Sequence, residues 1–146
     1  MNADPTEKYL AAYPPELRAQ VRLLIAEGRL ASSLARRYPE RHDIVSDGAL
    51  YDHVNGLKSR YLRSAGPLAK VCYDSRLHLT HQALGLHTAV SRPQGGRLKA
   101  KREIRIASLF REAPAAFLQM IVVHELAHLR ERDHDKAFYA LCRHMA

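Results

Sequence analysis

Residues 124–128 carry the clearest chemistry in the sequence, because they spell His-Glu-Leu-Ala-His, an HExxH pattern. On an α-helix, which turns about 100° per residue, His124 and His128 project within about 40° of each other and one turn apart. Both imidazoles can then reach the same metal ion. Glu125 projects beside that ion, where a carboxylate can act as general base on metal-bound water.

Zinc is the expected ion, one per chain, because paired imidazoles suit it and because it lowers the pKa of bound water from about 15.7 to about 7. The alternative is that HExxH arose by chance in a chain with nine histidines. Chance is a poor explanation, because two histidines and a glutamate on a buried helix would each reduce folding stability by on the order of several kcal/mol if they had no partners. The pattern therefore predicts a metal site that opens into a cleft.

A third ligand is expected, because catalytic zinc sites usually take three ligands from the protein and leave the fourth position to water. His134 is the preferred candidate, against the alternative of a solvent-exposed histidine at a helix start. On a continued helix it would lie about 120° around and about 15 Å along the axis from His124, so the helix must end. Asp133 is expected to cap the following helix. Asp135 is the weaker candidate ligand, and no glutamate follows Glu131.

Other side chains are candidates for the rim of this site. His87 is a possible substrate or transition-state contact, provided that its strand flanks the HExxH helix, and it is otherwise a strand surface residue. Tyr139 can stack near His134 or pack in the core, and core packing is the prediction. Three further histidines are interpreted only as exposed or partly satisfied polar residues, namely His78, His81 and His144.

The elements around the motif are helical at first. A helix is expected from Pro15, with an interruption at Gly28 and an end at residues 38–39. A second helix begins near Asp47, with Lys58 outside its apolar face, and ends before residues 66–67. The HExxH helix itself begins near Pro114 and must be buried, because apolar residues cover much of its circumference, namely Phe117, Leu118, Ile121, Val122, Leu126 and Leu129.

The segment between these helices has the pattern of strands. Residues 71–73 and 77–79 flank a turn at 74–76, and residues 87–91 and 98–107 form a second hairpin around a Gly-Gly tip. We therefore expect an α+β fold with a small, mostly antiparallel sheet. It would be a single domain over residues 1–146, helical in 1–66, with the sheet and the metal-binding helices in 67–146.

The composition, with 47% hydrophobic and 26% charged residues, is typical of a globular protein. The N-terminus lacks the basic start and apolar run of an export signal, and no apolar stretch approaches the roughly 20 residues that cross a bilayer. We expect a soluble, cytoplasmic protein with no membrane partner and with reduced Cys72 and Cys142. The net charge of +8 allows an acidic partner, such as nucleic acid, without identifying one.

Residues 121–139, with the pattern HELAHLxExxHxKAFY, closely resemble the signature of YgjP-like metallopeptidase-domain proteins, which are relatives of the SprT-like and minigluzincin zincins. Upstream segments that resemble the same family are residues 37–39, 84–92, 94–96, 98–101 and 103–105. The resemblance implies a zincin-like fold and a peptidase-like site. Similar proteins usually continue past the equivalents of residues 144–145, which leaves open whether part of the active-site rim is missing.

The resemblance also implies residue roles and a choice of substrates. His124, His128 and His134 would be the three metal ligands, and Glu125 would be the general base. Some members of the family are associated with nucleoside triphosphate hydrolysis, so the resemblance does not decide the bond that is cleaved.

Three functions are therefore considered. The favoured one is a zinc metallopeptidase, in which the strand at residues 87–92 aligns an extended peptide as an added strand. The alternative is a metal-dependent nucleoside triphosphate pyrophosphohydrolase, for example of UTP, in which basic residues neutralise the phosphates, namely Arg92, Arg97, Lys99, Lys101, Arg102 and Arg105. Otherwise these residues form a solvated hairpin surface. A non-catalytic nucleic-acid or protein-binding module with structural zinc is least favoured, because such sites usually close with four ligands.

Overall fold

The computed structural model describes residues 14–77, 84–94 and 97–146, and for residues 89–94 and 97–101 it describes the backbone alone. The chain separates into two compact units, residues 1–39 and 40–146. A single domain over the whole chain stays a prediction.

In the first unit, the described residues 14–39 form two helices, α1 (Pro15–Ala26) and α2 (Leu30–Arg37). The chain leaves α1 through Gly28, whose φ of +65° lies in the left-handed region that favours glycine. The Gly28 N–H donates to the Ile25 carbonyl at 3.0 Å, which closes the last turn of α1. The predicted interruption of this helix is confirmed.

The second unit begins with α3 (Asp47–Tyr61), which is capped by the Ser46 side chain, the acceptor of a 3.1 Å hydrogen bond from the Ala49 N–H. Leu50 and Val54 are fully buried on its inner side. Lys58 is only 8% exposed, so the prediction that it lies outside this face is wrong. It follows Val54 by four residues, which places its aliphatic stem on the same stripe of the helix.

A three-stranded sheet follows, with β1 (Leu68–Asp74), β2 (Gly85–Gln94) and β3 (Arg97–Ala107) in the order β1-β3-β2. The α+β class is confirmed, and so is the antiparallel hairpin of β2 with β3. The pairing of β1 with β3 is parallel, which makes the sheet mixed and was not expected from the hairpin pattern.

The other predicted hairpin, around residues 74–76, is not formed as expected. Asp74 Oδ1 accepts a 2.8 Å hydrogen bond from the Arg76 N–H, an Asx-type turn that ends β1. Leu77 then has helical geometry rather than strand geometry, and it is fully buried. The rest of the predicted second strand, residues 78–79, and the Gly-Gly tip at 95–96 lie outside the described residues.

The HExxH helix is α4 (Ala115–Ala127), which is preceded by a short 3-10 helix (Ser108–Arg111) and followed by α5 (Lys136–Met145). Its buried residues confirm the predicted central helix and are Leu118, Ile121, Val122, Val123, Glu125, Leu126 and Ala127. The apolar residues among them pack in one core with Ile104 and Ile106 of β3 and with Phe138 of α5. Within the described part of the chain, no helix is long and apolar enough to span a membrane.

Candidate metal centre and active site

The end of α4 creates the site. The helix stops at Ala127, with His128 as its C-cap, and α5 starts at Lys136, so the predicted break in the helix is confirmed. The prediction that Asp133 caps α5 is wrong. Asp135 does so, because its extended backbone directs Oδ1 to the Phe138 N–H at 2.9 Å. The same bond orients the carboxylate that was the weaker candidate ligand.

Three histidine side chains converge across this break. His134 Nε2 lies 3.1 Å from His128 Nε2 and 3.2 Å from His124 Nε2. All three ligand atoms lie within 4.8 Å of one another, which makes the cluster one that could hold a metal ion. The structure therefore brings together the three residues that the sequence nominated as ligands.

The geometry of the cluster and the protonation of His124 both fit a bound metal. Ligand bonds of about 2.0–2.1 Å in a tetrahedral site place nitrogens about 3.3 Å apart, close to the observed separations. His128 Nδ1 donates to the Glu131 carbonyl at 3.1 Å, so its Nε2 presents a lone pair to the centre. Burial, followed by the charges of His128 and His134, lowers the pKa of His124 to about 4, which keeps that imidazole neutral.

Phe138 supports all three imidazoles from the core side. Its ring centroid lies 4.9 Å from that of His124, 4.7 Å from that of His128 and 4.9 Å from that of His134. The side chain is fully buried, so the ring is fixed by packing. Sequence reasoning missed this role, because His134 precedes the N-cap of α5 and its contact with Phe138 therefore does not follow from helical spacing.

Glu125 is the buried acid of the site. Its side chain is 5% exposed, and desolvation raises the pKa of its carboxyl from 4.5 to about 7. A carboxyl group that titrates near neutrality can take up and release a proton at working pH.

His87 lies on the sheet beside this helix. It pairs with the fully buried Ile104 across β2 and β3, so the two side chains share a face of the sheet. Its pKa is lowered by burial first and then by the charges of Arg102 and His128. Among the described residues, His87 Nε2 has no hydrogen-bond partner although it is inaccessible to solvent. The strand therefore flanks the site and leaves one buried nitrogen unsatisfied.

The basic residues of the hairpin separate into distinct environments. Arg102 Nη1 donates to the Leu129 carbonyl at 3.0 Å, just beyond the end of α4. Arg105 instead lies 3.3 Å from Asp74 and 3.5 Å from Glu103, so its guanidinium pairs with two carboxylates, and its contact with substrate phosphate stays a prediction. The side chains of four predicted substrate contacts lie outside the described part of the structure, namely Arg92, Arg97, Lys99 and Lys101.

Tyr139 is 48% exposed, so the prediction that it packs in the core is wrong. The preceding residue, Phe138, takes the inward position on α5, and one residue further the helix has turned by about 100°. The Tyr139 ring lies 6.5 Å from His134. His144 packs edge-on against Tyr61 at 5.1 Å, and His78 and His81 lie outside the described residues.

An α+β fold that carries two histidines and a glutamate of an HExxH helix, with a third histidine beyond its end, defines the class of metal-dependent hydrolases. The chain belongs to the YgjP-like family, because the family model described as "YgjP-like, metallopeptidase domain" matches residues 20–146. A curated relative, the UTP pyrophosphatase of Escherichia coli (strain K12), is 59% identical over 137 residues, which cover 94% of this chain and 82% of that protein. No solved structure matches the chain significantly.

Proposed function

We propose that this chain is a metal-dependent nucleoside triphosphate pyrophosphohydrolase whose substrate resembles UTP. The observation that carries the proposal is the 59% identity, over nearly the whole chain, to a protein named UTP pyrophosphatase. This reading takes precedence over the peptidase reading that the sequence favoured. Water would add to the α-phosphorus and the bond to the bridging oxygen would break, giving a nucleoside monophosphate and pyrophosphate.

The proposed metal ligands are His124, His128 and His134, and zinc is the proposed ion because neutral imidazoles suit it. When bound, zinc would supply Lewis-acid polarisation of a phosphoryl oxygen and acidify water. The ring contacts with Phe138 and the bond from His128 Nδ1 to the Glu131 carbonyl hold the imidazoles in place for this role.

Glu125 is proposed as the general base. Its carboxylate would accept a proton from the attacking water and pass it toward the departing pyrophosphate. A pKa raised to about 7 by burial supports both halves of this transfer near neutral pH.

The hairpin is proposed to bind the phosphates. His87 Nε2 is buried and has no described partner in the free protein, so we propose that substrate binding shifts the surrounding side chains and that Nε2 then donates to a phosphoryl oxygen. Arg102 adds a positive charge beside His87. Four further basic residues of β2 and β3 are proposed to contact the outer phosphates, namely Arg92, Arg97, Lys99 and Lys101. A cytoplasmic location is part of the same proposal.

Peptide hydrolysis is the second candidate, and the family model's description as a metallopeptidase domain favours it. In that case β2 would align an extended peptide. A structural-zinc module has less support, since the cluster found among the described residues has three members and not four.

A substrate panel tests the proposal. The zinc-loaded protein and its Glu125→Gln variant would be assayed with UTP, other nucleoside triphosphates and an unstructured protein, and the metal content of both preparations would be measured. We expect UTP to yield UMP and pyrophosphate with the wild type, and at least about 100-fold less with the variant at equal metal content. Cleavage of the protein without cleavage of any nucleotide would establish the peptidase reading instead.

A further inference from the structure

Gly85, the first residue of β2, lies against the side chain of Glu125. A Cβ atom built on Gly85 would lie 2.6 Å from Glu125 Oε1, 2.8 Å from its Cγ and 2.9 Å from its Cδ. Cβ atoms do not approach other heavy atoms so closely. The four other described glycines have no such atom within 4 Å, namely Gly28, Gly48, Gly56 and Gly66.

The backbones on both sides of this contact are fixed. Gly85 pairs with Ile106 on β3, and the adjacent Leu84 carbonyl accepts a 2.8 Å hydrogen bond from the Ala107 N–H. Glu125 lies on α4 between Val122 and Leu126, which are both fully buried. A methyl group at position 85 is therefore accommodated most easily by rotation of the Glu125 side chain away from its place.

The backbone conformation does not itself require glycine at this position. Among the described glycines, Gly28 has the positive φ, whereas Gly85 continues into an ordinary antiparallel pairing. Alanine can adopt that conformation without strain. The feature that excludes a side chain at position 85 is the Glu125 carboxyl group.

We propose that Gly85 is a positioning residue, which reserves the space in which the Glu125 side chain lies at the active site. The steric part of this statement is independent of the reaction. The catalytic consequence rests on the proposed function, because it takes Glu125 as the general base.

A double-mutant cycle on the metal-loaded full chain tests the steric part. Gly85→Ala would be made in three backgrounds, wild type, Glu125→Ala and Glu125→Gln, and the urea midpoint of each protein measured. We expect Gly85→Ala to lower the midpoint in the wild-type background and not in Glu125→Ala, which lacks the Cγ, Cδ and Oε1 atoms. Glu125→Gln keeps the size of the side chain, so the loss should persist there. Gly56→Ala in α3 is the matched control and should lower no midpoint.

The cycle has a decisive outcome even if a variant is too unstable to purify. Recovery of folded protein in Gly85→Ala/Glu125→Ala but not in Gly85→Ala would support the proposal. An equal loss in the wild-type and Glu125→Ala backgrounds, or no loss in the wild type, would overturn it.

Turnover tests the positioning role. With Glu125 present, Gly85→Ala should lower kcat by about 10- to 100-fold, since misplacement by about 1 Å can have that effect, while KM and metal content stay at wild-type values. An unchanged kcat would show that Gly85 does not position the base. Should the wild type hydrolyse no nucleotide, the proposed function fails, whereas the cycle of midpoints still decides whether Gly85 makes room for Glu125.

Discussion

The histidine side of the site, on α4 and α5, and the hairpin side, on β2 and β3, are held in place by different interactions. The three histidines rest on Phe138, a core residue with no exposed surface. On the hairpin side, Arg102 donates a hydrogen bond to the Leu129 carbonyl. The buried Nε2 atom of His87 has no hydrogen-bond partner among the described residues. The histidine side is thus held by packing in the absence of substrate, whereas the hairpin side keeps a buried polar atom whose hydrogen bond is not satisfied. We expect metal retention and substrate turnover to respond to different substitutions.

Loss of a histidine should give the largest effect. His134→Ala removes one of the three converging nitrogens, and we expect metal affinity to fall by more than about 100-fold, since changes in outer partners alone reach about that size. Hydrolysis should be lost with the metal. Metal titration followed by calorimetry would measure the affinity, with the exposed neighbour Asp133→Ala as control. Tight metal binding by His134→Ala would remove this residue from the ligand set.

The next effect concerns the pH dependence of stability without metal. The Glu125 carboxyl has a pKa of about 7 when folded and 4.5 as its reference value, so the folded state retains a proton that the unfolded state has lost between those pH values. Wild-type stability should therefore fall as pH rises through this window, by about 3 kcal/mol in total. Glu125→Gln lacks this loss, so it should be the more stable protein at pH 8 and similar to wild type at pH 4.

Urea unfolding in the presence of a chelator would measure that difference across pH. His124, whose pKa is lowered to about 4, also titrates in this range, with the opposite effect on stability. Because it is present in both proteins, its contribution cancels in the comparison. A stability difference that does not change with pH would mean that the Glu125 carboxyl is not desolvated as described.

The smallest expected effect is that of replacing His87, which tests whether the hairpin side contributes to turnover rather than to stability. His87→Leu removes a buried nitrogen that has no described partner, so the free protein should gain about 1 kcal/mol of unfolding free energy while kcat/KM falls about 10-fold and metal content stays unchanged. His53→Leu is the matched control. His53 Nε2 lies 3.0 Å from Gln119 Oε1, so this change should destabilise the protein and leave kcat/KM unaltered. A loss of stability in His87→Leu would show that this nitrogen is satisfied in solution.

The same two regions differ in how far the sequence predicts them. The convergence of His124, His128 and His134 depends on helical spacing and on one break in the chain, which are local properties. His134 could be predicted as the third residue of the cluster, because the end of the helix after His128 lets the chain return His134 to the other two histidines. The identity of the cap at Asp135 and the exposure of Tyr139 depend on the exact start of α5, which composition alone does not set.

The structure of the hairpin side could not be predicted from local sequence patterns, because it depends on contacts between segments that are far apart in the chain. The parallel alignment of β1 with β3 joins segments about thirty residues apart, and no local pattern encodes it. The approach of Gly85 to Glu125 depends on how the sheet packs on α4, and the ion pairs of Arg105 depend on Asp74 of β1. Alternation along a strand predicts which residues share a face, but not which element covers that face.

Titration of metal into protein that a chelator has first freed of metal tests the central claim most directly. Zinc would be added in measured steps to wild type and to Glu125→Gln, with UTP hydrolysis and bound metal recorded at each step. We predict that hydrolysis by the wild type rises to a plateau at one equivalent of metal per chain, and that Glu125→Gln binds the same equivalent with at least about 100-fold less hydrolysis. Full hydrolysis before any metal is added, or equal hydrolysis by the two proteins, would contradict the account.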